Sequence, residues 1–266
     1  MLKDITLGQF FPGNSAIHKL DPRAKLILTL LYIVLLFITA NYYGFIIAAI
    51  LLCYVIASSR ISFRLIYKSV KPLVFIMIFT GVLNMLYTQG TPIFKIWILT
   101  VTYEGLSSAI FMILRLVFLV VGTSMLTYTT SPIMLTDGLE RLMNPLKKIH
   151  FPAHELSMMM TIALRFIPTL IEETEKIINA QKARGADFET GNIIRRAKAL
   201  IPVLVPMFIS AFRRADELAI AMECRCYHGG EGRTRMKSMQ MQGRDFIAFA
   251  VMVISFTGVI ALNIIL

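Results

Sequence analysis

Charge is scarce in this chain and unevenly spread. Only 16% of the 266 residues are Asp, Glu, Lys or Arg, 56% are apolar, and the mean hydropathy is +0.69. Soluble domains of this size rarely reach that balance, so a free globular protein is excluded first. Several runs of about 15 to 20 residues hold few or no charges, the pattern of bilayer-spanning helices. The runs are continuous rather than alternating, so helices rather than a closed barrel are expected to cross. No cleavable signal peptide is expected in the stretch 1–25, which is polar and contains Pro12, Gly13 and Pro22 instead of a short apolar core.

Cysteine is nearly absent too. Cys53 falls in a predicted span, while Cys224 and Cys226 fall in a segment expected to be cytoplasmic, where a structural disulfide is not expected. Cys224, Cys226 and nearby His228 lack the fourth ligand of a closed metal site, so no metal is expected. No phosphate-binding GxxxxGK[ST] loop, HExxH or GxSxG occurs. His18, His150, His154 and His228 sit at element ends, and His150 with Glu155 completes no catalytic set. Neither enzymatic activity nor a resident cofactor is expected.

What is present is a consistent charge map. Spans are expected at about 26–40, 44–57, 72–88, 106–127 and 246–266. Of the 27 Lys and Arg, four lie in residues 1–25, four in 58–71 and 17 between 130 and 245. The connection at 41–43 has none, and that at 89–105 has only Lys95. The positive-inside rule then puts the amino terminus, the 58–71 loop and the 130–245 segment in the cytoplasm, and the carboxyl terminus outside. Anionic headgroups account for most of this charge. Nucleic-acid binding is not expected, because the basic residues follow a membrane face without a recognition motif. Arg115 is the one intramembrane charge, a default functional candidate that can also snorkel or bond backbone carbonyls.

The expected fold is an all-α integral membrane protein with about five transmembrane helices and about three cytoplasmic or interfacial coupling helices. Its regions are 1–130 with four spans, 131–243 with the coupling helices, and 244–266 with the last span. Asp21 and Pro22 start the first helix, and Ser131 and Pro132 start a short one ending near Met143. A second cytoplasmic helix runs from about Ala153 to Ala183, where Gly185 ends it. A third runs from about Ile193 to Tyr227, kinked at Pro202 and Pro206 and followed by Gly229 and Gly230.

Both long helices are apolar first, charged later, and arginine-tipped. The tips are Ala183, Arg184, Gly185 and Cys224, Arg225, Cys226; the two arginines are 41 positions apart. The same offset aligns Glu175 with Asp216 and Ala180 with Ala221. One such tip is an ordinary response to the helix macrodipole. Two in one segment, flanked by small residues that let a partner's backbone approach, suit docking into a groove of another protein. Met158, Met159, Met160, Met207 and Met222 suit an adaptable surface that repacks on different partners, or simple lipid and core packing.

"PGNSAIHKLDPRAKL" (12–26), "LTYTTSP" (126–132), "LERLMNPLKK" (139–148), "ALRFIPTLIEE" (163–173) and "AQKARG" (180–185) resemble the transmembrane T component (EcfT family) of energy-coupling factor importers, ABC-type transporters of vitamins and transition-metal ions. The carboxyl-terminal stretch resembles only a generic span. The resemblance implies a non-catalytic coupling subunit that joins two cytoplasmic nucleotide-binding ATPases, which bind the ATP, to a membrane-embedded substrate-binding S component. It implies that the tips at Arg184 and Arg225 dock one on each ATPase, with Met158, Met159, Met160 and Met207 as candidate S-component contacts. The second tip departs from the family's Ala-Arg-Gly pattern, with Cys on both sides of Arg225. The alternatives are a dedicated cobalt or nickel T component, a stand-alone carrier and a membrane enzyme. The spans offer a carrier little polar lining, and no catalytic set supports an enzyme.

Overall fold

The first helix begins at Asp21, whose carboxylate accepts from the backbone N–H of Arg23, with Pro22 in the first turn where a missing N–H costs nothing. The computed structural model describes residues 10–88, 90–96, 99–149, 151–188, 192–229 and 240–265. His150 and Gly230, named above, lie outside them. The α-helices are α1 (Pro22–Ile38), α2 (Tyr42–Ser59), α3 (Phe63–Val70), α4 (Val74–Tyr87), α5 (Tyr103–Thr129), α6 (Pro132–Met143), α7 (Ala153–Ala183), α8 (Ile193–Glu223) and α9 (Gly243–Ile265).

Among the described residues, the protein is an all-α membrane protein apart from one short hairpin. Four stretches among the described residues are long and apolar enough to cross a membrane: α2, the run Phe63–Tyr87 made of α3, a 3₁₀ turn and α4, then α5 and α9. The first expected span, α1, has 17 residues and a length of about 26 Å. Two local expectations change. The expected third span begins at Phe63 rather than near residue 72, so Arg64 and Lys68 sit on a helix, not in a loop. Leu65 and Ile66 hold that turn by packing on Ile61, Met125 and Tyr128. The 89–105 connection contains antiparallel strands β1 (Pro92–Ile96) and β2 (Leu99–Thr102), in a stretch rich in β-branched residues.

The chain divides into two compact units. One draws its described residues from Gly8–Leu139 and Ser238–Leu266, the other from Glu140–Lys237. In the first, α5 packs against α1, α2, α3 and α4, and α9 packs against α1 and α2. Its core joins Tyr32, Leu35 and Leu36 of α1, Phe45, Ala48 and Leu52 of α2, Val121 of α5, and Met252 and Val259 of α9. Leu30, Phe37, Phe75 and Ile254 point outward, each more than 60% exposed, as a lipid-facing surface requires.

Helices α1 and α5 run antiparallel, and polar contacts mark both ends of α1. At its start, Lys25 donates to the carbonyl of Thr129 (2.9 Å) and to Thr130 Oγ1 (3.0 Å). Buried Asp245, at the start of α9, accepts from the backbone N–H groups of Asp21 (2.8 Å) and Gln242 (2.7 Å). At its finish, Arg115 Nη2 donates to the Thr39 carbonyl at 2.9 Å, and Asn263 donates to the Ile38 carbonyl at 2.8 Å. The Arg115 guanidinium also lies 5.9 and 6.0 Å from the rings of Phe37 and Phe45. Of the options the sequence leaves for Arg115, carbonyl bonding is the one observed.

Between these ends α1 and α5 meet through a glycine. A Cβ on Gly122 would stand 2.3 Å from Cε1 of the buried Tyr32 ring. Gly122→Ala should therefore push Tyr32 out of place at a cost of about 1–3 kcal/mol. Thermal unfolding of the detergent-solubilised protein should show the drop, and an unchanged midpoint would mean that the ring shifts freely.

Candidate functional site: two capped arginine tips

The second unit is built on α7 and α8. Near its start, His154 Nδ1 lies 3.1 Å from Glu140 Oε1. Contacts between α7 and α8 run antiparallel: Glu173 and Thr174 meet Arg214, Ser210 and Met207, while Gln181 meets Pro202.

The Gln181 contact follows from covalent chemistry. Pro206 has no N–H, so the carbonyl four residues earlier, that of Pro202, loses its helical partner. Gln181 Nε2 donates to that carbonyl at 3.3 Å from the neighbouring helix. Helix α8 thus continues through Pro202 and Pro206, as α7 does through Pro168.

Glu173 is the clamp between the two helices. Its carboxylate accepts from Ser210 Oγ and, at 2.9 Å, from Arg214 Nη2; the Arg214 guanidinium lies 5.7 Å from the Phe166 ring. Both charged side chains are about three-quarters buried in the chain. Sequence reasoning does not find this pair, although a signal exists. Glu173 and Arg214 are separated by the same 41 positions as the two tip arginines. Arg184 lies 11 residues beyond Glu173, and Arg225 lies 11 residues beyond Arg214. Each tip is therefore about 16 Å of helix from the clamp. Because the helices are antiparallel, the two arms leave it in opposite senses.

The tips share three capping hydrogen bonds, and the Arg184 N–H donates to the Ala180 carbonyl as well. At the first, the N–H groups of Arg184, Gly185 and Ala186 donate to the carbonyls of Gln181, Lys182 and Gln181; at the second, those of Arg225, Cys226 and Tyr227 donate to Met222, Glu223 and Met222. Both are Schellman motifs with the arginine at the C-cap. The position after the arginine is left-handed in each, with φ +86° at Gly185 and +56° at Cys226. The cysteine in place of glycine thus keeps the cap. Ala183, Arg184, Gly185, Cys224, Arg225 and Cys226 are all exposed. His228 Nδ1 lies 2.9 Å from the Cys226 carbonyl.

The methionines separate. Met159 and Met160 are exposed on the second turn of α7, and Met158 is half-buried. Met207 lies between the helices, where its Sδ accepts from Thr174 Oγ1 at 3.3 Å.

Fold and site define a class: a multi-span helical membrane protein that carries a clamped pair of helices with matching arginine tips. Comparison with known proteins gives the family. A family model described as a cobalt transport protein (CbiQ) matches residues 13–236. The chain is 58% identical to the energy-coupling factor transporter transmembrane protein EcfT of Clostridium kluyveri, over 93% of each chain. It is 51% identical to that of Ruminiclostridium cellulolyticum (99% of this chain, 98% of the relative) and 53% identical to that of Thermosediminibacter oceani (98% and 97%). The chain belongs to the EcfT family of energy-coupling factor transporter transmembrane proteins. The family model stops before α9, but the second relative's match takes in nearly the whole chain, so the resemblance reaches beyond a generic last span.

The caps generate a test. A side chain at the Gly185 φ of +86° is more strained than one at the Cys226 φ of +56°, which lies in the region L-residues can occupy. Gly185→Val should cost about 1–2 kcal/mol and speed amide hydrogen exchange in the last turn of α7. Cys226→Gly should slow exchange at the end of α8 or leave it unchanged. Equal protection in Gly185→Val and wild type would show that the left-handed cap does not hold the first tip.

Proposed function

We propose that this chain is the coupling subunit of an energy-coupling factor vitamin importer. It joins two cytoplasmic nucleotide-binding ATPases, which bind the ATP, to a membrane-embedded S component, which binds the vitamin. The observation that carries this reading is the pair of identically capped, exposed arginines, each 11 residues beyond one end of the Glu173–Arg214 clamp. Two equal arms suit two similar ATPase subunits. Arg184 and Arg225 each present a planar guanidinium that can bond a carboxylate or helix-end carbonyls in a groove. The flanking Ala183, Gly185, Cys224 and Cys226 keep the approach open.

In this reading residues 1–130 and 244–266 anchor the subunit in the bilayer and 131–243 carry motion. The amino terminus is cytoplasmic and the carboxyl terminus outside, as the basic connections require. ATP-driven closure of the ATPase pair moves the tips, and the arms turn about the clamp. Met158, Met159 and Met160 near the start of α7, and Met207 further along the pair beside Thr174, supply repackable side chains for the S component. That subunit then tilts or releases, which changes access to its vitamin. A dedicated cobalt or nickel role is the second reading, and the family model's description favours it. The ligand that copurifies with the S component distinguishes the two.

The test is charge reversal in the complex co-expressed with its ATPases. Arg184→Glu and Arg225→Glu should each weaken docking by about 2–5 kcal/mol, and the double variant should lose the ATPases on purification and abolish uptake. An intact complex with normal transport would end the docking role. For the clamp, Glu173→Arg should uncouple ATP hydrolysis from uptake, and adding Arg214→Glu should restore coupling. Uptake unaffected by the single variant would remove the clamp from the mechanism.

A further inference from the structure

Within the span-bearing unit, one end of the helix bundle encloses a cavity of about 320 Å³ between α1, α2, α5 and α9. Leu28, Leu52, Val55, Met125, Ala248 and Met252 give it apolar walls. Tyr54 and Ile247, 63% and 65% exposed, line it and reach the surface, so it opens where the bundle faces lipid. The same end gathers the basic residues around the start of α1, the end of α2 and the start of α9.

The charges at this end are unevenly spent. Lys25 lines the cavity, but its ammonium is bound by the carbonyls of His18 and Thr129 and by Thr130 Oγ1. The Asp245 carboxylate is occupied by two backbone N–H groups, and that of Asp21 by Arg23. Arg244 also lines the cavity, is exposed, and meets no carboxylate among the described residues. It stands in the first turn of α9, where the helix's own dipole disfavours a cation. An anion beside Arg244 would reverse that penalty. Below it, the apolar wall continues along α9 to Met252, eight residues on, or about 12 Å.

We infer that this cavity holds an acyl chain of an anionic phospholipid whose phosphate pairs with Arg244. A free phosphate would leave the apolar depth empty. An amphiphile with one anionic head and a slender chain fits both parts. The lipid would fill a gap beside the Asp21–Asp245 contact that joins the starts of α1 and α9.

The test uses the full-length wild-type chain in nanodiscs of phosphatidylcholine doped with phosphatidylglycerol carrying a diazirine on its acyl chain. After photolysis, peptide mapping should find label concentrated on Tyr54, Ile247 and the cavity walls over lipid-facing Phe75 and Ile254. A phosphatidylcholine probe with the same acyl group should label the cavity about fivefold less, as expected from about 1 kcal/mol for one basic residue. Arg244→Gln should erase that preference while leaving apolar-surface labelling unchanged. Labelling spread evenly over the bundle, or equal cavity labelling by the two lipids in wild type, would overturn the proposal.

Discussion

Inside a bilayer, a backbone N–H or C=O without a partner costs more than almost any single side-chain contact returns, and this structure is organised around that constraint. Both ends of α1 are met by side chains from other helices. Arg115 and Asn263 reach the last carbonyls of α1, and Asp245 takes the N–H at its start. Each bond contributes only about 1 kcal/mol net, but leaving such a group buried and unpaired costs about 1–3 kcal/mol. Partner choice is thereby strict, and the helix arrangement follows from it.

The same constraint explains why α9 belongs to the bundle although it follows a long segment of the other unit. Its apolar surface could pack against many helices. Its Asp245, by contrast, accepts from the N–H of Asp21, which itself caps α1, and its Asn263 donates to the carbonyl at the far end of α1. The two polar contacts lie 18 residues apart on α9, about 27 Å, so they fix register as well as neighbour. Met252 and Val259 then enter the core between them.

Much of this fold is legible in the sequence where local chemistry punctuates it. Asp21 with Pro22, Ser131 with Pro132, and Gly185 mark helix boundaries that the structure reproduces, because capping depends on a few adjacent residues. The helical start of the third span is hidden, since Arg64 and Lys68 read as loop charge until Leu65 and Ile66 find Met125 and Tyr128. The hairpin at Pro92–Thr102 is hidden because short apolar runs do not declare their period. The arginine tips are visible as a repeated pattern, but the clamp between Glu173 and Arg214 is not. That pairing depends on antiparallel packing of α7 on α8, which no local signal contains.

The tips also show how far a repeated pattern constrains residue type. Nothing lies within 4 Å of where a Cβ on Gly185 would be, so space does not demand glycine there. Its φ of +86° does, because it lies beyond the narrow left-handed range in which L-residues cluster. Cys226 at +56° falls within that range and closes the same pair of hydrogen bonds. The two arginines are thus equivalent in their capping bonds, while the backbone turns away from each at a different angle. The macrodipole gives a cation at such a C-cap only about 0.3–1 kcal/mol, a gain lysine would supply equally well. A guanidinium differs in its rigid fork of donors, and that difference matters only when something outside the chain accepts from it.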